Sequence, residues 1–216
     1  MRIINPGAAP AAGSVTMLGK DGARPLSGAQ SVTIDAGSVF DIQLAGVPAG
    51  TYGVQVTSNT PVGAAARMVR SGGEYPARSK ALVHDQAWAQ AALPGAADSG
   101  LLAVPRATSL SSAVTVANSG ETTSVTLSSL DGSWKQDVKV AKGSSSVVEV
   151  PAKVSAVRLN AAGQKGSSGA SHTSSGLAAA TIVTAQAGGD LAGTLISTVP
   201  AQPDATVQAQ RRILLD

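Results

Sequence analysis

The side chains that commonly perform acid–base or nucleophilic chemistry are few in this chain, and none is spaced as a catalytic motif. His84 and His172 are the only histidines among the 216 residues. His84 precedes Asp85, but neighbouring residues of a strand point to opposite faces, so this carboxylate is poorly placed to orient the imidazole. His172 lies between Ser171 and Thr173 in a Gly/Ser-rich run, which lacks the rigid elements of a preorganised site. Both histidines are therefore interpreted as non-catalytic loop or surface residues.

Paired carboxylates offer a second route to catalysis, since two of them ~5–9 Å apart in a cleft can hydrolyse a glycoside. No spacing selects a pair from the candidates, which are Asp35, Asp41, Glu74, Asp85, Asp137 and Glu149. Metal sites have no more support, because cysteine is absent and Asp98, Asp190 and Asp204 are isolated. The stretches Gly72-Gly73 and Gly188-Gly189 do not connect a strand to a helix, as a phosphate-binding loop would. The sequence thus predicts no catalytic residue, no metal and no cofactor.

Aromatic side chains are the remaining candidates for ligand contact, and the chain has only five of them. Trp134 follows the Asp131-Gly132 turn, where an indole exposed near a hairpin tip would suit stacking on a sugar. Tyr75 lies in a Gly-rich stretch and offers a similar contact. The other three are expected to fill the cores: Phe40, Tyr52 and Trp88. Trp134 and Tyr75 are therefore the candidate ligand-contact residues.

Composition restricts the class of protein that carries these residues. Hydrophobic residues make up 43% of the chain and charged residues only 13%, about half the usual charged share. The polar surface must then come from Ser, Thr, Gln, Asn and Gly, which suit strands and turns. The net charge of +3 comes from scattered basic residues, with Arg211-Arg212 the only adjacent pair, so nucleic-acid binding has little support. No stretch approaches the ~18 apolar residues of a membrane span.

One β-rich pattern occurs twice along the chain. In its first occurrence a short apolar strand leads into Asn5-Pro6-Gly7, and a second strand leads into Asp21-Gly22. In its second occurrence the same turns are Asn118-Ser119-Gly120 and Asp131-Gly132. Further stretches align between the two repeats, among them 31–39 with 136–144, 52–56 with 155–159, 61–69 with 176–183, and 91–94 with 197–200. The offset between the repeats drifts because loops tolerate insertion.

Local patterns predict strands throughout both repeats. Apolar and polar residues alternate at period two in 31–34 and 138–140, which is typical of strands with one buried face. Asp-Gly is a hairpin signal, and Ala36-Gly37-Ser38 and Lys142-Gly143-Ser144 are interpreted as a second hairpin in each repeat. Strands recur about every ten residues. The predicted fold is all-β, with little or no helix and two tandem immunoglobulin-like antiparallel β-sandwich repeats, residues 1–95 and 96–216.

Several segments need a separate assignment. Residues 80–92 are rich in helix formers, but the β-branched character of the matching stretch 193–199 favours a strand over 86–93. Residues 71–79 are predicted to be a loop, and residues 95–100 to link the repeats. Residues 161–175 form a low-complexity Gly/Ser loop.

The two repeats differ at their starts. The second is preceded by residues 101–105, Leu-Leu-Ala-Val-Pro, which are interpreted as its opening strand, whereas the first begins directly at Arg2. A sandwich without its first strand has an open sheet edge, which proteins avoid. Either that strand lies upstream in a longer parent chain, or another segment, such as the strand-like tail 206–215, fills the place. Met1-Arg2 does not open a signal peptide, so the chain is either cytosolic or a piece cut from a longer precursor. The missing first strand favours the precursor.

The motifs resemble a family of uncharacterised actinobacterial envelope proteins with N-P-G-type extracellular β-sandwich repeats. The residues that carry the resemblance lie mainly in the first repeat, in the stretches 3–7, 14–17, 21–22, 32–39, 54–62 and 86–89. In the second repeat they lie in 102–105, running into Asn118-Ser119-Gly120, which departs from Asn-Pro-Gly. The resemblance implies a membrane-anchored protein with a folded extracytoplasmic part.

These observations predict a non-catalytic extracytoplasmic β-sandwich module of a bacterial cell-envelope protein that acts in binding or scaffolding. Its expected partners are envelope proteins or cell-wall glycans. The alternative is a carbohydrate-binding accessory domain of a glycan-active enzyme, which would place Trp134 or Tyr75 in a shallow groove. A third possibility, a hydrolase, has almost no support in the sequence.

Overall fold

A computed structural model of the chain describes residues 1–44, 46–76, 78–92, 97–162, 176–186 and 194–203. Within these ranges the regular elements are β-strands, and the predicted all-β class is confirmed. The first half of the chain contains β1 (Arg2–Ile4), β2 (Ala11–Gly19), β3 (Gly22–Pro25), β4 (Val32–Ile34), β5 (Val39–Asp41), β6 (Gly53–Ser58), β7 (Gly63–Glu74) and β8 (Leu82–Gln90).

The second half contains β9 (Ser99–Ala103), β10 (Leu110–Asn118), β11 (Thr123–Ser129), β12 (Lys135–Val140), β13 (Ser144–Glu149), β14 (Ala156–Ala161), β15 (Leu177–Gln186), β16 (Thr194–Pro200) and β17 (Gln202–Pro203). The leading strand predicted at 101–105 is present as β9. Of the strand predicted at 86–93, residues 86–90 lie in β8, residues 91–92 follow it, and residue 93 lies outside the described residues. The loop predicted at 71–79 begins only after Glu74, because β7 continues through an irregularity between Ser71 and Glu74.

All strand pairs are antiparallel, and two sheets enclose a core in each half. The first half has the sheet β5-β1-β7-β8 and a second sheet in which β3 and β4 pair with one edge of β2 and β6 with the other. The second half has β13-β10-β15-β16 and β12-β11-β14-β9-β17. These layers are consistent with β-sandwiches. The immunoglobulin-like detail and the boundary at residue 95 stay predictions.

The cores follow from the period-two alternation of the strands. In β11, Val125 and Leu127 are fully buried and pack in the second core, while Thr126 between them faces the other side of the sheet. The same pattern places Val15 and Met17 of β2 in the first core. Each core is built from aliphatic residues of both of its sheets, as the scarcity of aromatic residues requires.

The predicted turns divide into two classes in the structure. Asp21-Gly22 and Asp131-Gly132 connect paired strands, and both glycines have positive φ. The hairpins predicted at 36–38 and 142–144 are wrong, because β4 and β5 lie in different sheets, as do β12 and β13. Gly37 and Gly143 have φ of 66° and 68°, so the local turn chemistry was read correctly. The chain crosses between the layers at these turns, which turn residues alone do not reveal.

A buried asparagine ties the two sheets together in each half. Asn5, directly after β1, donates from Nδ2 to the carbonyl of Ile34 at the end of β4, at 2.9 Å. Asn118, the last residue of β10, donates in the same way to the carbonyl of Val140 at the end of β12, at 3.0 Å. Each Oδ1 accepts the amide two residues further on, and both side chains are fully buried.

These equivalent asparagines correct the alignment of the two repeats. They make Ile34 correspond to Val140 and Gly37 to Gly143, so the pairing of 31–39 with 136–144 is wrong by one residue. Sequence similarity is weak in these short strands, whereas the hydrogen bonds of a buried polar group define one register.

The two halves dock through small side chains. Leu18 and Ala117 are buried although neither belongs to a core cluster. A Cβ added to Gly53 of β6 would lie 2.4 Å from the Cβ of Ala117. Gly143 also lies close to the first half, since a Cβ there would be 2.9 Å from the Cβ of Ala23. Glycine at these points lets the backbones approach, and larger residues would separate the halves.

A second contact joins the edge strands β8 and β16. Asp85 accepts the amide of Ile196 at 2.6 Å, and Thr198 donates its hydroxyl to the carbonyl of Trp88 at 2.9 Å. Side-chain hydrogen bonds, rather than a continuous ladder of backbone hydrogen bonds, therefore cover these two strand edges. They satisfy backbone groups that would otherwise be free to pair with another strand.

We expect Asn118→Ala to destabilise the protein by about 2–4 kcal/mol, because it leaves two carbonyls and one amide at a buried corner without their partner. Urea unfolding followed by circular dichroism measures the change. Asn160→Ala, at an exposed position of β14, is the matched control and should change stability little. Equal effects of the two substitutions would contradict the role of the buried side chain.

We expect Gly53→Ala to loosen the docking of the halves and to destabilise the chain by about 1–3 kcal/mol. Gly63→Ala, where an added Cβ meets nothing within 4 Å, is the control. The double variant Gly53→Ala/Ala117→Gly removes the clashing methyl group and should recover the compact shape. Thermal unfolding and small-angle X-ray scattering check both results, and a double variant no better than Gly53→Ala would refute the proposed contact.

Candidate functional site

The two predicted ligand-contact residues lie in hairpins of different halves. Tyr75 follows β7 and is 61% exposed, with its amide donating to the carbonyl of Ala81. Trp134 follows the Asp131-Gly132 turn as expected, but its side chain is partly buried and packs against the second core. Tyr75 thus presents a free ring, whereas Trp134 presents only part of one. A ligand contact for either stays a prediction.

The aromatic residues assigned to the cores are only partly found there. Tyr52 packs against the first core, but Phe40 and Trp88 are 37% and 42% exposed, so their assignment was wrong. In β8 the buried position is Ala87, and its neighbour Trp88 faces outward. The sequence of this strand shows residues alternating between its two faces. Which face of the strand is buried depends on the sheet that packs against it.

Trp88 belongs to a cationic and apolar surface on the sheet β5-β1-β7-β8. Arg67 of β7 is directly opposite Trp88, and its guanidinium carbon lies 5.9 Å from the centre of the indole ring. The guanidinium carbon of Arg2 of β1 lies 6.0 Å from the same ring. Both distances fall within the range of cation–π attraction. We call this surface the Trp88 face. Its outward residues include Arg2, Ile4, Val39, Asp41, Arg67, Val69, Gln86, Trp88 and Gln90.

The charges of the Trp88 face are unevenly paired. Arg2 donates to both oxygens of Asp41, at 2.9 and 2.7 Å, and this hydrogen bonding lowers the pKa of Asp41. Arg67 has no carboxylate within 4.0 Å in the described part of the chain. Its charge is therefore available to an acidic group of a ligand, beside the exposed indole.

Exposed aliphatic side chains extend the Trp88 face. Ile4 is 43% exposed, Val39 opposite it is 54% exposed, and Val69, two residues from Arg67, is 46% exposed. Large apolar side chains clustered on one sheet face, with an aromatic ring and arginines among them, are typical of interaction surfaces.

A cleft of about 590 Å³ lies where the two halves meet. The β2–β3 hairpin contributes Lys20 and Arg24, the segment before β6 contributes Tyr52, and β13 contributes Ser145 and Ser146. The Tyr52 hydroxyl is engaged with the carbonyl of Pro48 at 3.1 Å. The lining residues of the cleft offer two basic groups, the carboxylate of Asp21 and hydroxyl groups, and they include no histidine.

Of the residues considered for catalysis, His84 and Asp85 are not brought together. His84 contacts the hydroxyl of Ser71 at 3.4 Å, while Asp85 points to the second half and accepts the amide of Ile196. The two side chains thus have separate partners, as expected of neighbours in a strand. His172 lies outside the described residues. In the described ranges no group of three or more His, Asp or Glu residues is placed to hold a metal ion.

Residues 1–151 match the model of a family of unknown function, DUF5719. The chain belongs to this family. The matched region covers the first half and the strands β9 to β13, so the family unit spans the junction between the halves. No curated protein and no solved structure matches the chain, and no helix of the described residues is long and apolar enough to cross a membrane.

The hairpin that carries Trp134 contains a strongly perturbed carboxyl group. Hydrogen bonding from the hydroxyl of Ser129 and from the amide and hydroxyl of Ser133 lowers the pKa of Asp131 to about 2. The amide of Ser133 lies 3.0 Å from Oδ1 of Asp131. The charged form of this carboxylate therefore holds the turn together.

We expect acid to loosen this hairpin. Because the pKa of Asp131 is lowered from its ordinary value of 3.8, its contribution to stability is complete above about pH 4 and is lost as the pH falls toward 2. Titration of the side-chain carboxyl carbon by NMR should give a pKa near 2. A pKa close to 3.8, or acid sensitivity unchanged in Asp131→Asn, would contradict this account.

Proposed function

We propose that this chain is a non-catalytic binding or scaffolding module from the extracytoplasmic part of a bacterial cell-envelope protein. The observation that supports this proposal best is the Trp88 face, an exposed sheet surface. It combines an indole, aliphatic side chains and an arginine with no carboxylate within 4.0 Å in the described part of the chain. Membership of a family of unknown function with an all-β structure is compatible with it.

The chemistry of the Trp88 face suits recognition of a partner with an acidic group. Tryptophan provides a large apolar area with few rotatable bonds, so little entropy is lost when a partner covers it. Arg67 provides a planar guanidinium that pairs with carboxylate or phosphate. Both residue types are enriched among the side chains that contribute most to binding energy.

The docking of the two halves supports a scaffolding role. The close approach at Gly53 and Ala117, together with the Asp85 contact to β16, opposes free rotation of one half against the other. A stiff unit of this kind holds its binding surface at a fixed distance and orientation from whatever adjoins it.

The envelope setting rests on the composition and on the resemblance carried by the N-P-G-type repeat. A charge-poor, strand-rich chain with much Ser, Thr, Gly and Ala suits an exported protein. In this proposal the chain belongs to a longer membrane-anchored protein, and its partners are envelope proteins or cell-wall glycans.

A carbohydrate-binding accessory domain of a glycan-active enzyme is the second candidate. Exposed aromatic rings favour it, because sugars stack their C–H faces on such rings. The exposed rings in the described part of the chain include Tyr75, Trp88, Phe40 and part of Trp134.

Co-sedimentation with insoluble cell-wall glycan, and binding to solubilised envelope proteins, test these candidates. We expect Trp88→Ala to weaken binding by about 30-fold, the equivalent of the ~2 kcal/mol of an interface hot spot. Arg67→Gln should weaken binding and reduce its dependence on salt, since it removes the unpaired charge. Lys139→Gln, an exposed lysine of β12, is the charge-matched control.

The variants also separate the two candidates. Glycan binding that is lost in Trp134→Ala or Tyr75→Ala and kept in Trp88→Ala would favour the accessory-domain candidate and refute the role of the Trp88 face. Binding to neither fraction would refute both candidates.

A further inference from the structure

The cleft between the two halves is separate from the Trp88 face. Its lining comes from the β2–β3 hairpin, from the segment before β6 and from β13, whereas the Trp88 face lies on the sheet β5-β1-β7-β8. The cleft volume of about 590 Å³ falls within the ~300–1,000 Å³ typical of small-molecule pockets. The cleft therefore has room for a small ligand.

One wall of the cleft is held in place by a tyrosine. Tyr52 donates its hydroxyl to the carbonyl of Pro48 at 3.1 Å, which closes the segment between these residues into a short loop. The ring of Tyr52 fits closely between Gly19 and Gly50, because a Cβ at either glycine would lie 3.1 Å from a ring carbon. A wall that is already ordered loses little entropy when a ligand binds.

The charged side chains of the lining are two basic groups and one acidic group. Lys20 and Arg24 have no carboxylate within 4.0 Å in the described part of the chain, and Asp21 forms no ion pair there. Two positive charges and one negative charge leave one net positive charge in the lining, which suits a ligand with one acidic group. An ionised carboxylate only accepts hydrogen bonds, so Asp21 requires donors such as hydroxyl groups on that ligand.

A buried hydroxyl of the lining has no close hydrogen-bond partner among the described residues. Ser145 of β13 is 4% exposed, and its Oγ lies 3.5 Å from the carbonyl oxygen of Thr51. Hydrogen bonds from hydroxyl groups are usually ~2.5–3.0 Å long, and buried polar groups almost always make one. A polar ligand in the cleft would supply the close partner that Ser145 lacks.

Carboxylates outside the described residues are a possible alternative occupant. They belong to Asp190, between β15 and β16, and to Asp204 and Asp216, after β17. β16 lies at the opposite edge of its sheet from β13, and β17 at the opposite edge of its sheet from β12, the strand beside β13. The described residues next to these carboxylates are thus far from the cleft, which favours a separate ligand.

We propose that the cleft binds an acidic sugar, a carbohydrate unit that carries one carboxylate or phosphate group. Lys20 and Arg24 pair with the acidic group, while Asp21 and Ser145 form hydrogen bonds with the sugar hydroxyls. A simple anion leaves Asp21 without donors, and a neutral sugar leaves the two basic groups without a partner. This proposal does not depend on the role of the Trp88 face.

Isothermal titration calorimetry of the full chain at constant ionic strength tests the proposal. The probes are glucuronic acid and glucose 6-phosphate, with glucose, acetate and inorganic phosphate as controls that lack one of the two chemical features. We expect at least one acidic sugar to bind about tenfold or more tightly than every control, because only acidic sugars engage both sets of side chains. The better of the two shows whether the cleft prefers carboxylate or phosphate. NMR shifts of the amides of residues 19–24 and 50–52 should locate the bound sugar.

Substitutions in the lining test the role of each group. Arg24→Gln and Lys20→Gln should each weaken binding by about tenfold, and Ser145→Ala by about threefold or more. Arg70→Gln, at an exposed arginine of β7 outside the cleft, is the charge-matched control and should bind normally. Trp88→Ala should also bind the sugar normally, which separates this result from the proposed function.

Four results would overturn the proposal. The first is absence of saturable binding of both acidic sugars, and the second is equally tight binding of acetate, inorganic phosphate or glucose. The third is equal weakening by Arg24→Gln and Arg70→Gln, and the fourth is a set of NMR shifts that excludes the cleft. If an acidic sugar bound only after removal of residues 204–216, the occupant would be the chain's own tail and the proposal would also be wrong.

Discussion

The hydrogen bonds of one buried asparagine in each half are the constraint on which the layered structure depends. A buried side-chain amide must satisfy two donors and an acceptor, and Asn5 and Asn118 do so only where the ends of two facing sheets meet. Sliding either sheet by one residue would leave these groups unpaired and turn every apolar side chain of the strand to the wrong face. The aliphatic cores supply most of the stabilising energy, but they tolerate many arrangements of similar volume. The asparagine selects one of them.

The relative position of the two sheets in each half determines which side chains lie on the outer faces of those sheets. Ala117 directly precedes Asn118, so it points away from the second core and toward the first half, where it meets Gly53. Small residues at both points let the halves approach until Leu18 is buried. The sheet β5-β1-β7-β8 keeps its outer face exposed, and the Trp88 face is therefore a consequence of where the halves dock. The family match across residues 1–151 includes both sides of this junction.

The sequence was most informative where structure is set by neighbours in the chain. Period-two alternation and Asp-Gly turns predicted the strands, the all-β class and the hairpins at Gly22 and Gly132, because these features depend on local backbone sterics. The predictions were wrong where residues that are distant in the sequence determine the structure. The turns at Gly37 and Gly143 cross between sheets, and Trp88 rather than Ala87 faces outward, since a strand's phase is set by what packs on it. Of the candidate site, Tyr75 was found exposed as expected, but no pattern in the sequence brought Arg2, Arg67 and Trp88 together from three strands.

The difference between the halves extends beyond the strand β9 to the residues that hold it. Thr181 is fully buried and donates its hydroxyl to the carbonyl of Ala103 in β9, and Arg106 donates to the carbonyls of Val150, Pro151 and Val154. The register of the central strands makes Ala66 the counterpart of Thr181, so the first half offers an alanine methyl where the second offers a hydroxyl. In the second half, side-chain hydrogen bonds thus hold the leading strand β9 and the segment that follows it in place.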